Sequence, residues 1–129
     1  MKALFLLLPL VSTMSFAAVE PGIYSAVDVD TKQITATLKV RPDNTANLKM
    51  TAPDFVMPEP GCEGTYTAEN NLLLANMKCP TDGLENVKVK IDITHVNPQS
   101  VRAPGGVVVD VTIDALGNEA YKFILKKLE

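Results

Sequence analysis

The chain has 129 residues and a formal net charge of −3, from 12 basic and 15 acidic side chains that are interspersed along it. A nucleic-acid-binding protein needs a patch of basic side chains that displaces counterions from phosphates, and the sequence contains none. Nucleic acid is therefore not expected as a partner, and the length suits one domain with a single hydrophobic core.

The first residues predict a secretory signal peptide. Lys2 precedes an apolar run, and a short stretch of small and polar residues follows it. Ser15 and Ala17 provide the small side chains that a signal peptidase accepts on the amino side of its cleavage point. Cleavage is expected after Ala17, which divides the chain into a signal peptide at 1–17 and a single domain at 18–129.

This apolar run is shorter than a membrane-spanning helix, and no later segment is continuously apolar, so no membrane span is expected. The short signal and the lack of an Asn-x-Ser/Thr acceptor for glycosylation favour a bacterial protein. The expected location is therefore periplasmic, or secreted beyond the cell.

An alternation of apolar and polar residues predicts β-strands through the rest of the chain. The segment 33–40, for example, places four apolar side chains on one face: Ile34, Ala36, Leu38 and Val40. The same period of two returns in four later segments, at 46–52, 87–94, 107–115 and 121–125. With residues 22–29 and the two strands of a hairpin at 62–79, about eight strands are expected.

The segment 62–79 begins and ends with the two cysteines of the chain and has Asn70 and Asn71 at its centre. Asparagine tolerates the positive φ that a type I′ turn needs at both central positions, so a two-residue hairpin turn is expected. In the resulting register Cys62 lies opposite Cys79 on the apolar face, as a non-hydrogen-bonded pair, where opposed backbones come closest. A cross-strand disulfide is therefore predicted.

A structural disulfide is favoured over the other uses of two cysteines. An exported domain lies in an oxidising compartment, where a cysteine pair is normally oxidised. A redox-active pair is typically Cys-x-x-Cys at a helix N-terminus, whereas this pair is separated by a whole hairpin. A zinc site needs three or four converging ligands, and the chain has one histidine, His95. No metal and no cofactor are expected.

The expected fold is all-β: a small antiparallel meander barrel of about eight strands, with a β-sandwich as the alternative. The start at Gly22-Ile23-Tyr24, the meander and the cross-strand cysteines resemble small lipocalin-like exported barrels. That class includes ligand carriers and periplasmic inhibitors of host hydrolases. The resemblance is one of architecture, and it implies no functional residues for this chain.

The inward positions of such a barrel are apolar, as Leu38, Tyr66, Val89 and Phe123 illustrate. These side chains can fill the interior or line an apolar pocket, because an eight-stranded barrel is close to the size at which either occurs. A packed core is favoured for strands this short. A lipocalin-like carrier of a small apolar ligand is the alternative function.

The most unusual loop is 51–61, in which three prolines restrict the backbone around three adjacent apolar side chains: Phe55, Val56 and Met57. A stiff loop loses little entropy on docking, so these residues form a candidate partner-binding loop. The competing interpretation, which is favoured, is a plug for one end of the barrel with Phe55 in the core. A second long connection, at 97–106, is expected to run over the surface.

Enzyme chemistry is poorly represented, and the chain is not expected to be an enzyme. The candidate carboxylates fall on predicted outward faces, where such groups are normally solvated: Asp28, Asp30, Asp92, Asp110 and Asp114. No phosphate-binding loop or nucleophile elbow occurs. The sequence therefore predicts a non-catalytic exported binding protein, which engages an unknown protein or envelope component through loops of a disulfide-stapled barrel.

Overall fold

The computed structural model describes residues 19–81 and 83–129, so the predicted signal peptide at 1–17 lies outside the described residues. Within this part of the chain there are nine β-strands: β1 (Gly22–Asp28), β2 (Thr35–Val40), β3 (Thr45–Ala52), β4 (Phe55–Val56), β5 (Cys62–Glu69), β6 (Leu72–Lys78), β7 (Val87–Asp92), β8 (Val107–Ile113) and β9 (Ala120–Lys127). Two 3₁₀ turns, Ser100–Arg102 and Asp114–Leu116, lie in the connections on either side of β8.

Eight of these strands form a closed antiparallel barrel, and β4 is an extra strand paired to β3. Each barrel strand pairs with the next one along the chain, with β5 following β3, and β9 returns to β1 and closes the barrel. The predicted all-β meander barrel is confirmed, and a β-sandwich is not the fold adopted. The predicted alternation is also confirmed, since β2 and β7 alternate strictly between exposed and buried residues.

The hairpin of β5 and β6 has the predicted register. Asn70 and Asn71 both have positive φ, 53° and 62°, as a type I′ turn requires. The two cysteines form the predicted disulfide, and their Cα atoms are 4.0 Å apart. Turn chemistry and the disulfide therefore specify the same pairing from opposite ends of the hairpin.

The barrel has two ends, which we name after features of this hairpin. The lower end carries the Asn70-Asn71 turn, together with residues 19–21 and the connection 93–106. The upper end carries the disulfide and the loop 53–61. Because consecutive strands run in opposite directions, these assignments follow from the strand order.

The connection 93–106 closes the lower end, which corrects the prediction that it runs over the surface. The side chains of Val96 and Val101 are each only 1% exposed and belong to the hydrophobic core. Local turns satisfy the backbone that burial would otherwise leave unpaired: the N–H of Val96 donates to Ile93 O at 3.0 Å, and the Asn97 side chain accepts from the N–H of Ser100 at 2.8 Å. A loop of this composition can therefore form a plug.

The residues before β1 hold this plug in place. Arg102 pairs with the carboxylate of Glu20 at 2.8 Å, and the hydroxyl of Tyr24 donates to the backbone oxygen of Glu20 at 2.6 Å. Burial is the main cause that raises the pKa of Tyr24 to about 12. The lower end is thus sealed by apolar side chains and fastened by polar contacts around Glu20.

Asp28 is predicted to face outward, and the structure corrects this. Its side chain is only 7% exposed at the upper end of β1. Its carboxylate accepts hydrogen bonds from the hydroxyl of Thr31 and from the N–H of Asp30. These bonds, that from the Thr31 hydroxyl first, lower the pKa of Asp28 below its ordinary value. The carboxylate is therefore the acceptor that organises the turn after β1, and the sequence pattern assigned it to the wrong face.

Replacing both cysteines with alanine should lower the free energy of unfolding by about 3 kcal/mol, because the disulfide closes a loop of this length in the unfolded chain. Denaturant unfolding of oxidised wild type and of C62A/C79A measures the difference. Wild type in reducing buffer should match the double variant. Equal stability of all three forms would show that the bond does not stabilise the barrel.

Val96→Ala and Val101→Ala should each cost roughly 2 kcal/mol, since each substitution removes two buried methyl groups and leaves a cavity. The control is Val108→Ala on the outer face of β8, where the side chain is 50% exposed and the expected cost is below about 0.5 kcal/mol. Urea unfolding compares the three variants. A plug role is contradicted if the two buried positions behave like Val108.

Candidate functional site

The strand β4 is paired on one side only. Its residues Phe55 and Val56 lie opposite Ala52 and Thr51 of β3, and no other described strand pairs with it. We call residues 50–57 the β3–β4 ribbon, which reverses direction at Pro53-Asp54 at the upper end. Within residues 19–81 and 83–129, the outer edge of β4 pairs with no other strand.

The three candidate partner-binding residues lie on this ribbon in different environments. Val56 is 72% exposed and Phe55 is 39% exposed, whereas Met57 is half-buried and packs against the core. The plug interpretation is therefore wrong for Phe55. Successive strand residues point to opposite faces, so Phe55 and Val56 give each face of β4 an exposed apolar group.

The strands β4 and β5 act as one interrupted strand alongside β3. Thr51 pairs with Val56, and Leu48 pairs with Cys62. Between these two pairs the chain advances by six residues on the β4–β5 side but by only three on the β3 side, so residues 57–61 form a bulge. Above the bulge β3 still pairs with β2 through Met50 and Thr51, so one edge of its upper end belongs to the barrel and the other edge carries β4.

Polar contacts from β3 fasten the bulge. The side-chain amide of Asn47 donates to Pro60 O at 2.8 Å, and the ammonium of Lys49 lies 2.5 Å from a carboxylate oxygen of Glu59. Within the bulge the N–H of Gly61 donates to Pro58 O at 2.9 Å. The ribbon is thus attached to the barrel by a segment with an ordered backbone.

Met57 connects the ribbon to the disulfide. Its N–H donates to Met50 O at 3.1 Å, which continues the pairing of β3 and β4 towards the barrel. Its thioether sulfur lies 3.4 Å from Sγ of Cys62. The base of the ribbon therefore contacts the cross-strand disulfide.

A charged network lies beside the bulge on the outer face. Arg41 donates to both carboxylate oxygens of Glu63, at 2.9 Å each, and the Asn47 amide donates to the same carboxylate at 2.7 Å. These hydrogen bonds, those from Arg41 first, lower the pKa of Glu63 to about 2. Asn47 thus links the Arg41–Glu63 pair to the bulge.

The remaining candidate residues are not brought together. His95 is exposed at the lower end, while Asp110 pairs with Lys122 at 2.8 Å. Asp92 accepts a hydrogen bond from the hydroxyl of Thr94 in a local turn, which lowers its pKa. Within the ranges 19–81 and 83–129, no three His, Cys, Asp or Glu side chains are grouped so that they could hold a metal ion.

The residues that fasten the bulge carry no signal in the sequence pattern. Asn47, Lys49 and Glu59 meet because β3 lies beside the interrupted strand, and this neighbourhood is not visible in a sequence pattern. The ribbon itself had a usable signal, since Pro53-Asp54 between two extended stretches is typical of a turn. That signal predicts a hairpin at this position, although not its unpaired edge.

Comparison with known proteins leaves the function to be inferred from this geometry. No protein-family model, curated protein sequence or solved structure matches the chain. In the part of the chain that the structure describes, no helix has the length and apolar character needed to cross a membrane.

Glu63→Gln should lower the free energy of unfolding at neutral pH by roughly 0.5–1 kcal/mol, a value reduced for the solvent exposure of the ion pair. Folding lowers the pKa of Glu63 from 4.5 to about 2. Its stabilisation is therefore complete above about pH 4.5 and is lost as the pH falls towards 2. Denaturant midpoints across this range should show the difference between wild type and E63Q disappearing at low pH.

The matched control is Glu119→Gln in the exposed connection before β9, which should change the free energy of unfolding by less than about 0.5 kcal/mol. A stability difference for E63Q that persists unchanged at pH 2 would contradict the assigned role of the Arg41–Glu63 pair.

Proposed function

We propose that this chain is an exported, non-catalytic binding protein, which captures an extended apolar segment of a protein or envelope component along the free edge of β4. The observation that carries the proposal is the combination of an unpaired strand edge with two exposed apolar side chains, Phe55 and Val56. Extended segments that add to a sheet edge gain affinity from backbone hydrogen bonds and specificity from alternate side chains.

The pairing within the ribbon supports this mode of binding. The N–H of Met57 donates to Met50 O, so the backbone groups of the preceding residue, Val56, point away from β3. An incoming strand can pair with these groups. Its side chains would meet Phe55 on one face of the edge and Val56 on the other, which favours a partner with apolar residues on both faces.

The fastening of the bulge supports the proposal energetically. A loop that must become ordered on binding loses conformational entropy, which weakens the complex. The contacts of Asn47, Glu59 and Met57 order the base of the ribbon before any partner arrives. The exposed edge is therefore preorganised for docking.

Two further features agree with an exported binding role. The disulfide is typical of proteins that function in an oxidising compartment, which supports a periplasmic or secreted location. The side chains of Phe55 and Val56 are hydrocarbons, which bind apolar surfaces but supply no acid, base or nucleophile. The proposal is accordingly for capture of a partner rather than for turnover of a substrate.

Phe55→Ser/Val56→Ser should reduce retention of the partner from an envelope extract by at least about tenfold, because it removes the exposed apolar area of both faces. The oxidised protein is immobilised, and the retained proteins are quantified by mass spectrometry. The matched control is Val108→Ser/Leu128→Ser, which removes two exposed apolar side chains away from the ribbon and should retain the same partner as wild type.

Edge pairing makes a second measurement decisive. The amide of Val56 should exchange with solvent more slowly in the complex than in the free protein, as monitored by hydrogen exchange. A partner that is retained equally by both double variants, or that leaves exchange at Val56 unchanged, would refute binding at this edge. Thermal unfolding of the variants distinguishes lost binding from lost folding.

A further inference from the structure

Small residues are concentrated in one sector of the barrel interior. Ala26 of β1 lies opposite Ala36 of β2, and Ala46 lies on the neighbouring strand β3. All three line the interior. Protein interiors are normally packed as densely as organic crystals, so small residues that face one another leave space unless larger neighbours fill it.

This space is a cavity of about 50 Å³ along the barrel axis. Every barrel strand contributes apolar side chains to its lining, including Ala36 of β2, Met50 of β3 and Phe123 of β9, and no polar atom faces it. A buried water needs two to four polar partners, so a cavity with this lining is dry.

The two ends of the cavity differ in access. At the lower end Tyr24, Val96 and Val101 are almost completely buried and seal the interior. On the side of β1 and β3 the lining residues Ala26 and Met50 are only half-buried, and Met50 pairs with the base of the β3–β4 ribbon. The upper rim beside β1 and β3 is therefore the side from which a ligand of this cavity would enter.

We propose that this cavity binds the alkyl chain of a short, uncharged aliphatic molecule. The cavity of about 50 Å³ exceeds the roughly 10–15 Å³ that one water-sized group needs, so it has room for a short alkyl chain. Pockets for drug-sized ligands occupy about 300–1,000 Å³, which excludes a sterol or a long fatty acid from this conformation. A polar end group finds no partner inside and stays at the upper rim.

This site is independent of the proposed capture of a partner segment. It takes a small molecule rather than a strand, and its lining does not include Phe55 or Val56. The ribbon variants should therefore leave binding of an aliphatic probe unchanged, and variants of the cavity should leave partner retention unchanged.

The test is a titration of the oxidised protein with 1-butanol, monitored by NMR of labelled methyl groups. The methyl groups of Leu48 and Met50, which line the cavity, should shift saturably, whereas those of the exposed Leu128 should not. The matched probe is 1,4-butanediol, which has the same chain length but a hydroxyl at each end. Its binding should be at least about tenfold weaker, because one hydroxyl would be buried without a partner.

Ala36→Leu should abolish the saturable shifts by filling the cavity, and the matched control Ala115→Leu, on an exposed turn, should retain them. Ala36→Val adds less volume and serves as the deciding variant if Ala36→Leu does not fold. Saturable shifts that persist in the folded Ala36 variant would overturn the proposal. So would wild-type shifts that are linear and equal at Leu48, Met50 and Leu128.

Discussion

The bond between Cys62 and Cys79 lies where the chain leaves its bulge and enters the barrel. Towards the lower end, β5 and β6 pair without interruption as far as the Asn70-Asn71 turn. Towards the upper end, β3 pairs with β4 instead of β5, and the sulfur of Met57 contacts the sulfur of Cys62. The packed core and the exposed ribbon therefore meet at the same covalent link.

Most of the barrel could be predicted because its signals are local. The alternation in β2 and β7 and the two asparagines of the hairpin turn each involve residues that are close together in the sequence. The two-residue turn determines which residues lie opposite each other, and together with the oxidising compartment expected for an exported domain it predicts the disulfide. Closure of the barrel needed one additional inference, that a run of short adjacent strands curls until the first meets the last.

The surroundings of the loop 51–61 and of the plug depend on contacts between distant segments, and the sequence does not show these contacts. The favoured interpretation of the loop 51–61 places Phe55 in the core, but its side chain is exposed. Val101 belongs to a connection predicted to run over the surface, but its side chain is buried. Both loops combine prolines with apolar residues, so composition could not distinguish them. The plug contains Asn97 and Ser100, whose side chains satisfy its backbone during burial, while the ribbon satisfies its own backbone by pairing with β3. Asp28 was misplaced because the pattern does not show that a turn would supply its hydrogen bonds.

The barrel has a sealed end and an end that carries the ribbon. The first and last segments of the described chain meet at the sealed end, so they lie far from β4. The N–H of Ile23 donates to Glu129 O at 3.1 Å, and the N–H of Leu128 donates to Ile23 O at 2.7 Å. If the protein were attached to a solid support through either of these segments, β4 would face away from the support.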